Sequence, residues 1–313
     1  MVLWRGELGL GEEGARRGGA RAMSLRLEML QVARLAKGEL GEAWELVEGY
    51  VRSQQRECGG FAGRDGKADL YYTSFGIDAL TALQVELPEV GLRGYLEGFG
   101  DGDGLDFVHL CCLARCWSAL GARGEPGGLW QRIEAYRTAE GGYHQSPGSG
   151  WGSAYGAFLA YGAYSDHGLE LPGAAGLRDS LMGLRAVEGG GFFNERELPV
   201  ASVPATAAAV SVLRKLGGGV GDEAGRWLLG CAHLEGGFVP FPGAPMPDLL
   251  STAVALHGLD GLQVEWRGLR DLCLDFLDSL WTAEGGFYGT WDEEVLDLEY
   301  SYYGLLALGH LSL

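Results

Sequence analysis

The stretch "GGFAGRDGKADLYYTSFGIDALTAL", Gly59 to Leu83, joins two glycines and an aromatic to a run of helical periodicity. Tyr72, Phe75, Gly76, Ala79, Leu80 and Leu83 fall at i, i+3, i+4, i+7, i+8 and i+11, the spacing of one apolar helix face. The Gly-Gly-aromatic unit ends at Phe61 here and returns at Tyr143, Phe192, Phe238 and Phe287, the last four spaced by 49, 46 and 49 residues. The gap of 82 residues from Phe61 to Tyr143 holds a degenerate copy, "GDGDGLDFVHLCCLARCWSAL" (Gly100–Leu120), which brings the repeat to six units. In each unit an amphipathic helix, such as Leu40–Ser53 or Leu269–Thr282, comes first. The double glycine is expected to stop it, a loop follows, and then comes a second helix apolar nearly all round. Strand-like alternation is absent.

An inner ring of apolar helices inside an outer ring of amphipathic ones explains both patterns. The prediction is all-α: one closed α/α toroid (an α6/α6 barrel) of six helix-pair repeats over residues 23–313. An open HEAT-type solenoid is the alternative. Its turns within a repeat are short, whereas the Gly-Gly loop is long and recurrent. Residues 1–22 carry no apolar face and read as an extension outside the toroid, disordered or the product of a misplaced start codon.

Composition narrows the function. A formal net charge of −18 opposes non-specific nucleic-acid binding and anionic membrane surfaces. No stretch reads as a transmembrane helix or a signal peptide. The six cysteines include no CxxC pair, so they read as reduced core residues of a cytoplasmic protein, not as a thiolate metal knuckle.

The "GGFxGR…D…YT…AL" unit resembles the repeat of protein prenyltransferase β subunits and, more distantly, of squalene and terpene cyclases. The resemblance runs from about Leu25 to Leu313 and implies an isoprenoid-binding toroid, with zinc or magnesium assisting and a helical partner subunit. In catalytic prenyltransferases a pattern R-x-x-K-x-x-D-x-C holds the diphosphate and zinc, and a later D-x-x-H-T adds a histidine. Here Arg64 and Lys67 match the basic positions. Asp69 stands one residue closer than the family aspartate, and Tyr71 stands at the cysteine position. Asp106 and His109 match the histidine pattern. In the last units Leu250 and Tyr300 replace expected ligands, so no tightly bound family-type zinc is expected. The DxDD proton donor of the cyclases is absent.

The candidate site follows from these residues. Asp69, Asp106, Asp248 and Asp297 share one repeat position, suited to capping a helix or to binding a ligand. The third and fourth units place Trp151 and Val200 there. Asp69, Tyr72 and His109 are the catalytic candidates. Arg64 and Lys67 are the head-group candidates, because only the first unit has two cations in this loop. Tyr71, Trp151, Tyr155, Tyr300 and Tyr303 supply an aromatic wall for an isoprenoid chain or simply fill the centre. The reading is a prenyltransferase-like protein that binds an isoprenoid or its diphosphate, leaning towards an enzyme that transfers or processes a prenyl group. A non-catalytic toroid for a protein, peptide or lipid is the first alternative, and an α/α-barrel hydrolase is the second.

Overall fold

A computed structural model describes residues 23–122 and 127–313. The proposed extension, residues 1–22, lies outside them. The helices are α1 (Leu25–Ala33), α2 (Ala36–Leu40), α3 (Trp44–Ser53), α4 (Leu70–Ala82), α5 (Glu89–Glu97), α6 (Phe107–Ala119), α7 (Leu129–Glu134), α8 (Ala154–His167), α9 (Ala174–Met182), α10 (Val203–Lys215), α11 (Asp222–Leu229), α12 (Leu249–Gly261), α13 (Arg270–Leu280) and α14 (Leu298–Leu311). From α4 onward the even-numbered helices form the inner ring: α4, α6, α8, α10, α12 and α14 pack in sequence, and α14 closes on α4. The odd-numbered helices from α3 onward form the outer layer. The predicted α/α toroid is therefore the observed fold.

Each inner helix starts on a side-chain cap. Asp69, Asp106, Asp248 and Asp297 accept backbone N–H bonds of their first turns. The third and fourth units do the same with Ser153 and Ser202. Trp151 and Val200 are thus not at the cap position: they stand eight residues beyond the aromatic, as Asp69 does in the first unit, whereas the third to sixth units all place the cap ten residues beyond it. All six inner helices satisfy an otherwise orphaned N–H in this way.

The double glycines have a different role from the one expected. Helix α3 ends at Ser53, well before Gly59, and the intervening residues fold back in a bridge between Gln55 and Phe61. Gly59 has φ +96°, and a Cβ there would lie 2.0 Å from the carbonyl oxygen of Gly91 in the next outer helix. A Cβ on Gly236 would likewise meet Leu272 in α13, and one on Gly285 would meet Leu46 in α3. Glycine is thus required where successive units touch through backbone, and at Gly285 where the last unit meets the first. The aromatic that follows is driven between the two layers: Phe61, Tyr143, Phe192 and Phe238 are wholly buried.

A short antiparallel hairpin, β1 (Phe193–Glu195) with β2 (Leu198–Ala201), departs from the strand-free expectation. It is the loop before α10, pulled straight by its own pairing. Helix α1 packs on α4, α8 and α14 and plugs the C-terminal end of the ring. Arg26 on α1 reaches Asp78, nine residues beyond the cap of α4, at 2.6 Å. Glu28 on α1 pairs with Arg214 and Lys215 at the end of α10.

Candidate functional site

With its C-terminal end plugged and its N-terminal end capped but open, the inner ring encloses a chamber of about 380 Å³. The lining follows the caps. Two residues beyond a cap stand Tyr71, Tyr155, Pro204, Leu250 and Glu299, which form the rim layer. Six residues beyond stand Phe75, Cys112, Leu159, Ala208, Val254 and Tyr303, the middle layer. Nine residues beyond stand Arg115, Ser211 and His257, and Met29 of α1 joins the lining. The steps of four and three residues keep one helix stripe turned inward. The walls are aromatic and aliphatic, and the floor is polar.

Glu299 is the one carboxyl among the described residues that line the chamber. It accepts a hydrogen bond from the Tyr71 hydroxyl at 2.7 Å. Burial pushes its carboxyl up to about 7, against the opposing effect of that bond. The sequence reading missed Glu299, although a signal existed: it is the one acidic residue within Leu298–Leu311, a helix made mostly of Leu, Tyr and Gly.

The predicted residues divide into three groups. Tyr71, Tyr155 and Tyr303 line the chamber as expected of the aromatic wall. Asp69 and His109 meet at the mouth, where His109 Nε2 lies 3.0 Å from Asp69 and Nδ1 lies 2.8 Å from Asp106. Hydrogen bonding to Asp69, with Asp106 adding to it, outweighs desolvation and raises the His109 imidazole to about 9. The remaining candidates lie outside the chamber lining. Arg64 donates to Asp297 at 2.7 Å and to Glu293 at 3.2 Å, with its guanidinium 5.6 Å from the Tyr300 ring. Lys67 is 85% exposed, and its ammonium is 3.9 Å from Asp65. Tyr72 packs on Gly63, and Trp151 is covered by the guanidinium of Arg196 at 3.9 Å.

The donor set does not fit the zinc site that the resemblance implies. Tyr71 and Leu250 occupy the expected thiolate positions. Cys112 is buried and its thiol is pushed up to about 12, so it stays protonated. Among the described residues, no three His, Cys, Asp or Glu side chains are grouped to hold a metal ion.

The His109 cluster makes a testable contribution to stability. A histidine whose folded pKa is raised stabilises fully below its unfolded value, near 6.5, and loses that stabilisation as pH rises through about 9. His109→Gln should therefore lower stability by roughly 1–2 kcal/mol at pH 6, allowing for solvent screening at this mouth position, and by little above pH 9. Urea midpoints across that range measure it, and a pH-independent difference would contradict the assignment.

Comparison with known proteins agrees with this architecture. The family model of the prenyltransferase alpha-alpha toroid domain matches residues 27–109 and 206–312, more than half of the chain. The type II terpene cyclase MstE from Scytonema superposes with a TM-score of 0.63 over 88% of this chain and 97% of its own, at 13% identity. The protein geranylgeranyltransferase-I of Candida albicans, complexed with GGPP, gives 0.59 over 86% and 90%, also at 13% identity. A protein from Actinoplanes gives 0.62 over 86% and 98%, at 15% identity. No curated protein matches the chain in sequence. No described helix is long and apolar enough to cross a membrane. With the family model covering both the first units and the last, and the inner ring closing between them, the chain belongs to the prenyltransferase alpha-alpha toroid family.

Proposed function

We propose that the chamber binds an isoprenoid chain along its axis and that Glu299 is the acid that acts on it. The observation that carries the reading is the wall itself, an aromatic and aliphatic chamber with a single carboxyl at its rim. Tyr155, Tyr303, Phe75 and Phe158 offer ring surfaces suited to an unsaturated chain and to positive charge developing on it. A carboxyl that keeps its proton towards neutrality is suited to donate it. Two structural relatives carry prenyl ligands: the Candida enzyme is complexed with GGPP, and a variant of MstE with geranylgeranyl dihydroxybenzoate.

The rim favours processing of the chain over transfer from a diphosphate. Arg64 is engaged by Asp297 and Glu293, and the aspartate caps crowd the mouth with negative charge. A bound diphosphate would have to break those ion pairs or bring a divalent cation. The hydrolase alternative needs two carboxylates facing each other at about 5–10 Å. The lining supplies Glu299 alone. A purely structural toroid would have a filled centre, and this one is open.

The test is calorimetry with geranylgeraniol and geranylgeranyl diphosphate. The alcohol should bind at least as well as the diphosphate. Ala208 is a small side chain of the middle layer, and Ala208→Trp should fill the chamber and weaken alcohol binding by a hundredfold or more while leaving the helical circular dichroism intact. Equal binding by this variant, or no binding of either ligand by wild type, would defeat the reading.

A further inference from the structure

We propose that the chamber floor recognises the carboxylate end of a terpenoid acid through Arg115, so that the ligand lies with its polar end innermost and its hydrocarbon end at the rim. This rests on the isoprenoid reading of the chamber and adds the ligand's polar group and its direction.

Arg115 sits nine residues beyond the cap of α6, and Glu299 two beyond the cap of α14. At 1.5 Å per helical residue the two levels differ by roughly 10 Å along the ring axis. Arg115 is largely buried, with 16% of its side chain accessible, and it lines the chamber. Of its guanidinium donors, only Nη2 has a hydrogen bond among the described residues, to Asp78 Oδ2 at 2.9 Å. The other oxygen of Asp78 takes Arg26 Nε at 2.6 Å. One carboxylate is thus shared by two guanidinium groups. Arg115 keeps Nε, Nη1 and the second Nη2 hydrogen, so one guanidinium edge, Nη2 with either Nε or Nη1, remains for a bidentate carboxylate.

The rest of the floor agrees. Ser211 and His257 line the same level, where the layer above holds Phe75, Leu159, Val254 and Tyr303. A purely hydrocarbon ligand has no use for this polarity. Asp166 is the second acid near the two arginines, beside a void of about 20 Å³ that Arg26 and Arg115 also border. Burial already pushes its carboxyl up. The rim offers no comparable place for an anion, since Arg64 there is held by two carboxylates.

Calorimetry with farnesoic acid, farnesol and methyl farnesoate tests the proposal at pH 7.5. Wild type should bind the acid ten- to a hundredfold more tightly than the alcohol or the ester, the worth of one charge-assisted contact. Arg115→Met should abolish that preference and still bind farnesol. In case this variant fails to fold, wild type alone is tested with farnesoic acid carrying a diazirine at the end remote from the carboxylate. Photocrosslinks should then map to the first turns of the inner helices, around Tyr71, Tyr155 and Glu299. Farnesol binding without an acid preference, a preference that survives Arg115→Met, or crosslinks at Ser211 and His257 would each overturn the proposal and leave the chamber reading standing. Binding of none of the three ligands would overturn both.

Discussion

Asp78→Ala should cost about 3–5 kcal/mol of stability, the usual penalty for removing one partner of a buried ionic group. Asp78 is 1% exposed and accepts from both Arg26 and Arg115, which joins α1, α4 and α6 at the plugged end of the ring. The variant leaves two buried guanidinium groups without their shared carboxylate. Urea denaturation at pH 7.5 should show the loss directly. The control is the triple variant Arg26→Met/Asp78→Leu/Arg115→Met. Buried charge sets exchanged for apolar residues of similar volume are often close to neutral, so this protein should recover most of the stability. It should also lose the acid preference assigned to Arg115. A single Asp78→Ala variant as stable as wild type would mean that the ion pairs do not form in solution.

Glu299→Gln has the second large effect, with opposite signs on stability and on chemistry. A carboxyl whose folded pKa is raised stabilises the fold below its unfolded value, near 4.5, and loses that contribution as pH rises through about 7. Wild type should therefore weaken between pH 4.5 and 7.5, by an amount on the order of 3 kcal/mol for a shift of this size. The glutamine variant should lack this slope, match wild type near pH 4.5 and exceed it at pH 8. Thermal melts across the range distinguish the two. In chemistry the same variant should abolish conversion of any polyprenyl substrate that wild type turns over, because an amide cannot donate the proton; loss of a general acid typically costs about 10²–10⁴ in rate. Binding of geranylgeraniol should survive. If the two proteins have parallel stability curves, Glu299 is not held protonated and cannot be the acid.

The fold was legible because the repeat is written in residues that only one backbone geometry tolerates. A glycine next to a buried aromatic, recurring at 46 or 49 residues ahead of an apolar helix, leaves little but a ring of paired helices. The function of that glycine was less legible: a helix exit and a close backbone contact demand the same residue type, and only the position of Gly91 opposite Gly59 tells them apart. The Ser153 and Ser202 caps were missed because the first unit places its cap eight residues beyond the aromatic, and the third to sixth units place it ten beyond.

The site divides in the same way. The sequence by itself determined which helices are apolar enough to form the inner ring; the stripe at two, six and nine residues beyond each cap follows from helical geometry once the caps are placed. Tyr71, Tyr155 and Tyr303 were read as wall candidates from their place on or beside the inner helices, and they line the chamber, whereas Trp151 and Tyr300, read in the same way, do not. The sequence could not determine which charges would be left to act. Arg64 and Lys67 read as a head-group pair in the sequence, but Asp297 and Glu293, more than two hundred residues away, approach Arg64 only because the last unit closes on the first. Arg115 and Glu299 were not singled out in the sequence at all. Closure of the ring and the plug of α1 decided their surroundings, by burying Glu299 and by placing Arg26 beside Arg115 on the one carboxylate of Asp78.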